Sequence, residues 1–132
     1  MGIFLKDINL KGKTALITGA TKGLGRGIAQ AIAEAGGDII AIGRNQSELN
    51  SLAKIIKKLK VKYTSFNCDV NDYDKMKRFI TKLKNLDILV NNAGTNIPEP
   101  FLHVKKSSME TILNVSTKAV FNVAQLCSSQ II

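Results

Sequence analysis

The 132 residues suit one small domain with a single core, and a hydrophobic fraction of 45% is that of an ordinary globular protein. No uninterrupted apolar run is long enough to span a bilayer, and the opening MGIFLKDINLKGK lacks both the apolar core of a signal peptide and a Ser or Thr at position 6 for myristoylation, so a cytoplasmic protein with no membrane partner is expected. The net charge of +9 is almost all lysine; because the lysines are scattered and aromatics make up only 5%, a solvated surface is favoured over a nucleic-acid-binding face.

Phe4, Ile8 and Leu10 are expected to tuck under the sheet. Ala15-Leu16-Ile17 then reads as a buried parallel strand ending at Thr18-Gly19. Gly23 and Gly25 follow, and from Leu24 the apolar residues recur at helical spacing through Ile28, Ala31, Ile32 and Ala35. The spacing predicts a helix from about Lys22 to Ala35, stopped by Gly36-Gly37. Asp38–Gly43 is the second strand. Asn45 caps a helix through Leu59 with Leu49, Leu52, Ile55, Ile56 and Leu59 inside. Lys62–Cys68 is the third strand, and Asn71 or Asp72 starts a helix with Met76, Phe79, Ile80 and Leu83 inside. Asp87–Asn91 is a fourth strand, apolar on both faces and therefore expected to be central. After a loop with Pro98 and Pro100, Ser107 opens a long final helix, with Glu110 completing a capping box. Cys68 and Cys127 form no metal or redox motif and read as reduced core cysteines, and no metal site is expected. Strands alternating with helices predict an α/β fold with a doubly wound parallel sheet, one domain over residues 1–132.

The first strand, its glycine-rich turn and the following helix aim free N–H groups and the positive end of a helix dipole at one point, which suits a phosphate. The turn is neither G-x-G-x-x-G nor a Walker A loop, which would need Gly-x4-Gly-Lys-Ser/Thr. It reads Thr18-Gly19-Ala20-Thr21-Lys22-Gly23-Leu24-Gly25, and Asn91-Asn92-Ala93-Gly94 follows downstream. With these two motifs in order, the chain from residue 10 onward resembles the short-chain dehydrogenase/reductase family.

The resemblance implies a Rossmann-type sheet with strand order 3-2-1-4. It also implies that a fifth strand should follow, so the chain reads as the cofactor-binding half of a longer protein, truncated after the helix that follows strand four. The pyrophosphate would be held by Gly19, Thr21, Lys22, Gly23, Leu24 and Gly25. The family's acidic position for a ribose 2′-OH matches Gly43, and Arg44 comes next. Arg44 and Lys22 together argue for NADP(H) over NAD(H), which stays possible, because a guanidinium binds a 2′-phosphate that a carboxylate repels; the alternative is a solvated loop arginine. Asp69 and Val70 would contact the adenine, or Asp69 would start a turn; both can hold. Asn92, Ala93 and Gly94 would line the cofactor trough.

The family's Ser and Tyr-x-x-x-Lys are expected beyond Ile132, so no catalytic residue is assigned and the fragment alone is expected to be inactive. The literal Tyr73-Asp74-Lys75-Met76-Lys77 precedes the fourth strand and is dismissed as a match out of context. The family's helix Asn falls at Ser116. Asn114 is two residues earlier, and at ~100° per residue in an α-helix it would point the other way. His103 reads as a surface histidine, with a substrate contact as the alternative. The resemblance implies hydride transfer between NADP(H) and a carbonyl or secondary alcohol, on a sugar acid or a 3-oxoacyl substrate, in a full-length form that is a homo-oligomer. The rival readings are a truncated, non-catalytic nucleotide-binding remnant and, last, a basic nucleic-acid-binding domain.

Overall fold

The computed structural model describes residues 7–131. Strands β1 (Thr14–Thr18), β2 (Asp38–Gly43), β3 (Tyr63–Asn67) and β4 (Ile88–Val90) form one parallel sheet in the order β3-β2-β1-β4. The helices are α1 (Gly23–Glu34), α2 (Gln46–Lys57), α3 (Tyr73–Ile80), α4 (Lys106–Leu113) and α5 (Val120–Ile131). A π-helical stretch, Asn114–Ala119, joins α4 to α5, and a short 3-10 turn, Phe101–His103, precedes α4.

The strand order explains where the helices lie. The chain steps outward from β1 to β2 to β3, then returns to the other side of β1. Crossovers between parallel strands keep one hand, so the reversal moves the later helices to the opposite face. Side-chain alternation on β1 and β2 feeds both faces. Ala15, Ile17, Ile39 and Ala41 pack against Ala29 and Ala33 of α1 and Leu49, Leu52 and Ile56 of α2. Leu16, Ile40 and Ile42 pack against Met76 and Ile80 of α3 and Val123, Leu126 and Cys127 of α5. Each fully buried Leu or Ile contributes about 1.5–3 kcal/mol.

Several expectations are corrected. On α1 the buried face is Gly25, Ala29 and Ala33, one residue out of phase with the apolar series read from Leu24, and Leu24 itself is 74% exposed. Small residues face the sheet because the helix starts pressed against the turn that precedes it. Helix α2 ends at Lys57, short of Leu59, which is exposed; Lys60 just beyond sits at a positive φ and turns the chain toward β3. Ser107 is not the cap of the last helix. Lys105 is, and its N–H donates to Glu99 Oε2 at 3.1 Å, so a carboxylate from the preceding loop does what Glu110 was expected to do. That helix is also not α-helical throughout. The order 3-2-1-4 itself holds: among the described residues β4 pairs with β1 alone, and its three residues are half-buried. Ile8 is 47% exposed and does not tuck under the sheet, whereas Leu10 is half-buried and donates its N–H to Ala35 O. Phe4 lies outside the described residues.

Both cysteines are free and buried, and burial pushes the Cys127 thiol up to about 11. Among the described residues no helix is long and apolar enough to cross a membrane. The lysines of α2, α3 and the segments after them are exposed.

Asp87 anchors the start of β4 to β1. Its Oδ2 accepts from the Thr14 N–H at 2.9 Å and its Oδ1 from Lys13 Nζ at 3.3 Å. The Thr14 N–H, ahead of the Lys13 ammonium, holds this carboxyl below its ordinary value of 3.8. A lowered carboxyl pKa stabilises the fold above the unfolded value, and that contribution is lost as pH falls through the folded one. Asp87→Asn should therefore lower stability near neutral pH and change little in strong acid. Urea unfolding at the two conditions checks this; an equal loss at both would refute it.

Candidate cofactor site

At the C-terminal ends of all four strands the chain leaves the sheet, and these exits converge. In a doubly wound sheet the crevice forms where neighbouring connections depart to opposite faces, here between β1 and β4. A cleft of about 660 Å³ lies there. The turn after β1 lines it with Gly19, Thr21, Lys22 and Gly23, the end of β2 with Ile42, Gly43, Arg44 and Asn45, the end of β3 with Cys68, Asp69 and Val70, and the end of β4 with Asn92, Ala93, Gly94 and Thr95. Glu48 of α2, Thr111 of α4 and Val115 of the π-helical stretch complete the wall.

The turn after β1 takes backbone angles that glycine favours: Gly19 has φ +62° and Gly23 +55°. Helix α1 begins with Lys22 as its N-cap and with no side chain capping it, and its first turn holds no acid. The orphan N–H groups of that turn and the dipole's positive end thus face the cleft mouth without an internal anion, the arrangement that binds phosphates.

The two motifs are bolted together. Thr18 is fully buried. Its Oγ1 accepts from the Asn92 N–H at 3.0 Å and from the Ala93 N–H at 2.9 Å. The Asn92 side-chain amide returns the contact, donating to Thr18 O at 3.2 Å and Gly19 O at 3.1 Å. Asn91 donates to Val120 O at 2.7 Å and braces the last helix against the strand. Arg26 is a further clamp: its guanidinium donates to Thr21 O and Ser51 Oγ, both at 3.1 Å, tying the turn to α2.

Ten of the twelve residues read from the sequence line the cleft: Gly19, Thr21, Lys22, Gly23, Arg44, Asp69, Val70, Asn92, Ala93 and Gly94. Leu24 and Gly25 do not. Leu24 points to solvent at the start of α1, and Gly25 is buried beneath the turn, where an added Cβ would collide with Gly19 O and the Asn92 amide. Asp69 also makes the expected turn, with Oδ1 accepting from the Asn71 N–H at 2.9 Å. At Gly43 an added Cβ would stand 2.7 Å from Thr21 Cγ2, so a side chain there requires Thr21 to move.

Ser116 and Asn114 are both exposed and neither lines the cleft; Val115 between them does. The π-helical stretch holds all three. An i→i+5 repeat turns each residue by somewhat less than an α-helix, so Asn114 and Ser116, two residues apart, still point to largely opposite sides. Tyr73 stands at the start of α3 and His103 in the exposed 3-10 turn, and neither lines the cleft. Among the described residues no cluster of three potential metal ligands exists.

Sequence reading missed Thr18, Arg26 and Glu48. Thr18 had a signal, as the residue before the first glycine. Arg26 and Glu48 had none beyond helical position, since their partners lie on other elements.

A family model described as short chain dehydrogenase matches residues 13–132. The chain is 33% identical over 120 residues to an L-xylulose reductase of Mesocricetus auratus, covering 91% of this chain and 48% of that protein. It is 36% identical over 114 residues to a 3-oxoacyl-[acyl-carrier-protein] reductase of Rickettsia conorii, covering 86% and 46%. Two solved structures superpose closely. An L-sorbose reductase of Gluconobacter frateurii, complexed with NADPH and L-sorbose, gives a TM-score of 0.87 at 25% identity, covering 95% of this chain and 49% of that one. A carveol dehydrogenase of Mycobacterium avium, in complex with NAD, gives 0.84 at 25%, covering 93% and 50%. The chain spans about half the length of the relatives it matches. With its parallel 3-2-1-4 sheet, its bolted glycine turn and this match over nearly its whole length, the chain belongs to the short-chain dehydrogenase/reductase family of oxidoreductases.

Proposed function

We propose that this chain is the dinucleotide-binding part of an oxidoreductase that passes hydride between NADP(H) and a carbonyl or secondary alcohol. The observation that carries the reading is the cleft itself, where an uncapped helix N-terminus and the ends of four strands meet. When bound, the nicotinamide supplies or takes the hydride. The chain's own residues bind and orient. The α1 N-terminus and the glycine turn cradle the pyrophosphate, with Gly19 and Gly23 allowing the backbone to approach it. Asp69 and Val70 frame the adenine end, and Asn92, Ala93 and Gly94 form the floor, held in place by Thr18.

The NADP(H) preference rests on Gly43, Arg44 and Lys22. Strand β2 ends without a carboxylate, and two cations line the cleft beside it. The named activities of the relatives, a sugar reductase and an oxoacyl reductase, fit a small polar carbonyl substrate. A cytoplasmic, homo-oligomeric enzyme completes the proposal.

Titration of NADPH and NADH into the protein and its Arg44→Ala variant tests the cofactor reading. Removing one charge-assisted bidentate contact should weaken NADPH binding by ~1.5–3 kcal/mol and leave NADH almost unchanged. Equal effects on both cofactors would refute it.

A further inference from the structure

Helix α2 opens on Asn45, whose Oδ1 accepts from the Glu48 N–H at 3.1 Å. In a complete capping box, a glutamate at this position turns back to the N-cap N–H. Glu48 reaches elsewhere: its Oε1 pairs with Lys22 Nζ at 3.5 Å, bridging α2 to the glycine turn. Lys22 is the lysine read above as attracting a 2′-phosphate, and both partners line the same cleft as Arg44. The Glu48 side chain is about one-third exposed, and the Lys22 side chain is largely exposed.

We propose that Glu48 is a specificity-determining residue whose carboxylate, by engaging Lys22 at the 2′ end of the cleft, holds down the preference for NADP(H) over NAD(H). The proposal rests on the reading that Lys22 and Arg44 meet the 2′-phosphate. A phosphate dianion brought to Lys22 must share that ammonium with Glu48 or displace it, and the two anions repel. The neutral 2′-OH of NAD(H) meets no such penalty and can donate to a carboxylate. Strand β2 ends at Gly43, where an added side chain would press on Thr21, so the only carboxylate that could face this ribose from the β2–α2 connection comes from the first turn of α2. Beside the end of β2 the cleft therefore carries two cations that favour one cofactor and the Glu48 carboxylate that offsets them, while its other carboxylate, Asp69, stands at the end of β3. Because Lys22 is largely exposed, the effect is modest, about two- to fivefold in affinity.

The test titrates NADPH and NADH into the 132-residue protein and into Glu48→Gln, which keeps the backbone N–H that Asn45 caps and is itself favoured at this helix position. NADPH affinity should rise about two- to fivefold while NADH affinity stays level or falls. Glu48→Ala should move the ratio in the same direction. In a Lys22→Ala background the gain from Glu48→Gln should shrink. If the unaltered protein prefers NADPH and Lys22→Ala weakens that preference, but neither Glu48 variant shifts the ratio, the role of Glu48 is refuted and the cation reading survives. If Lys22→Ala and Arg44→Ala are both neutral, the cation reading fails and Glu48 with it. Loss of both cofactors in a Glu48 variant would mean a structural role and would also overturn the proposal.

Discussion

Replacing Gly25 by alanine should cut nicotinamide dinucleotide binding by at least about a hundredfold and destabilise the fold by ~2–4 kcal/mol, and valine should be worse. The glycine sits in the first turn of α1 and is buried against the turn that precedes it. A Cβ there would collide with Gly19 O and the Asn92 amide nitrogen. Both atoms are backbone or tightly held: the Asn92 amide already donates to Thr18 O and Gly19 O. Relief would come only by lifting α1 off the turn or breaking the Asn92 link, and either displaces the phosphate-binding N–H groups. Gly27, two residues on, is the control. An added Cβ there meets nothing within 4 Å, so Gly27→Ala should keep binding and gain about 0.5–1 kcal/mol of helix stability. Cofactor titration and urea unfolding of the two variants separate the cases. A folded Gly25→Ala protein with unchanged affinity would show that the turn is not where the pyrophosphate lies.

Thr18→Val should cost ~1–3 kcal/mol of stability and a large part of the cofactor affinity, although the two side chains have nearly the same shape. Thr18 is fully buried and its hydroxyl oxygen accepts two backbone N–H groups, from Asn92 and Ala93. Valine leaves the Ala93 N–H without an acceptor, at about 1–3 kcal/mol, while the Asn92 N–H keeps only Val90 O at 3.1 Å. The floor of the cleft at Asn92 to Gly94 then loses its tie to the glycine turn. Thr18→Ser keeps the oxygen and should retain most of both properties, losing roughly the worth of one methyl group. Thermal unfolding with and without NADPH reads the difference. Equal behaviour of the valine and serine variants would exclude the hydroxyl as the link.

Both predictions depend on pairings between distant parts of the chain, and there the sequence and the folded molecule divide. Local chemistry by itself determined the strand–turn–helix order. The short apolar run over residues 39–42, bounded by Asp38 and Gly43, reads as an enclosed strand, Asn45 is placed to accept from Glu48, and Gly36-Gly37 ends α1. The motif spacing carried the family, and the resemblance carried ten cleft residues: Gly19 and Gly23 act through their backbone angles, whereas Asn91 and Asn92 act through their side-chain amides. Only the tertiary structure decided the phase of α1, since the closeness of the helix to the turn selects Gly25, Ala29 and Ala33 over the larger Leu24 and Ile28. It also decided that Glu99, rather than Glu110, serves the start of α4, and that the last helix passes through a π-helical stretch at Val115. Glu48 shows the reason most directly. Its position in the helix was legible, but its partner Lys22 lies 26 residues away and is brought within 3.5 Å only when α1 and α2 pack on the same face of the sheet.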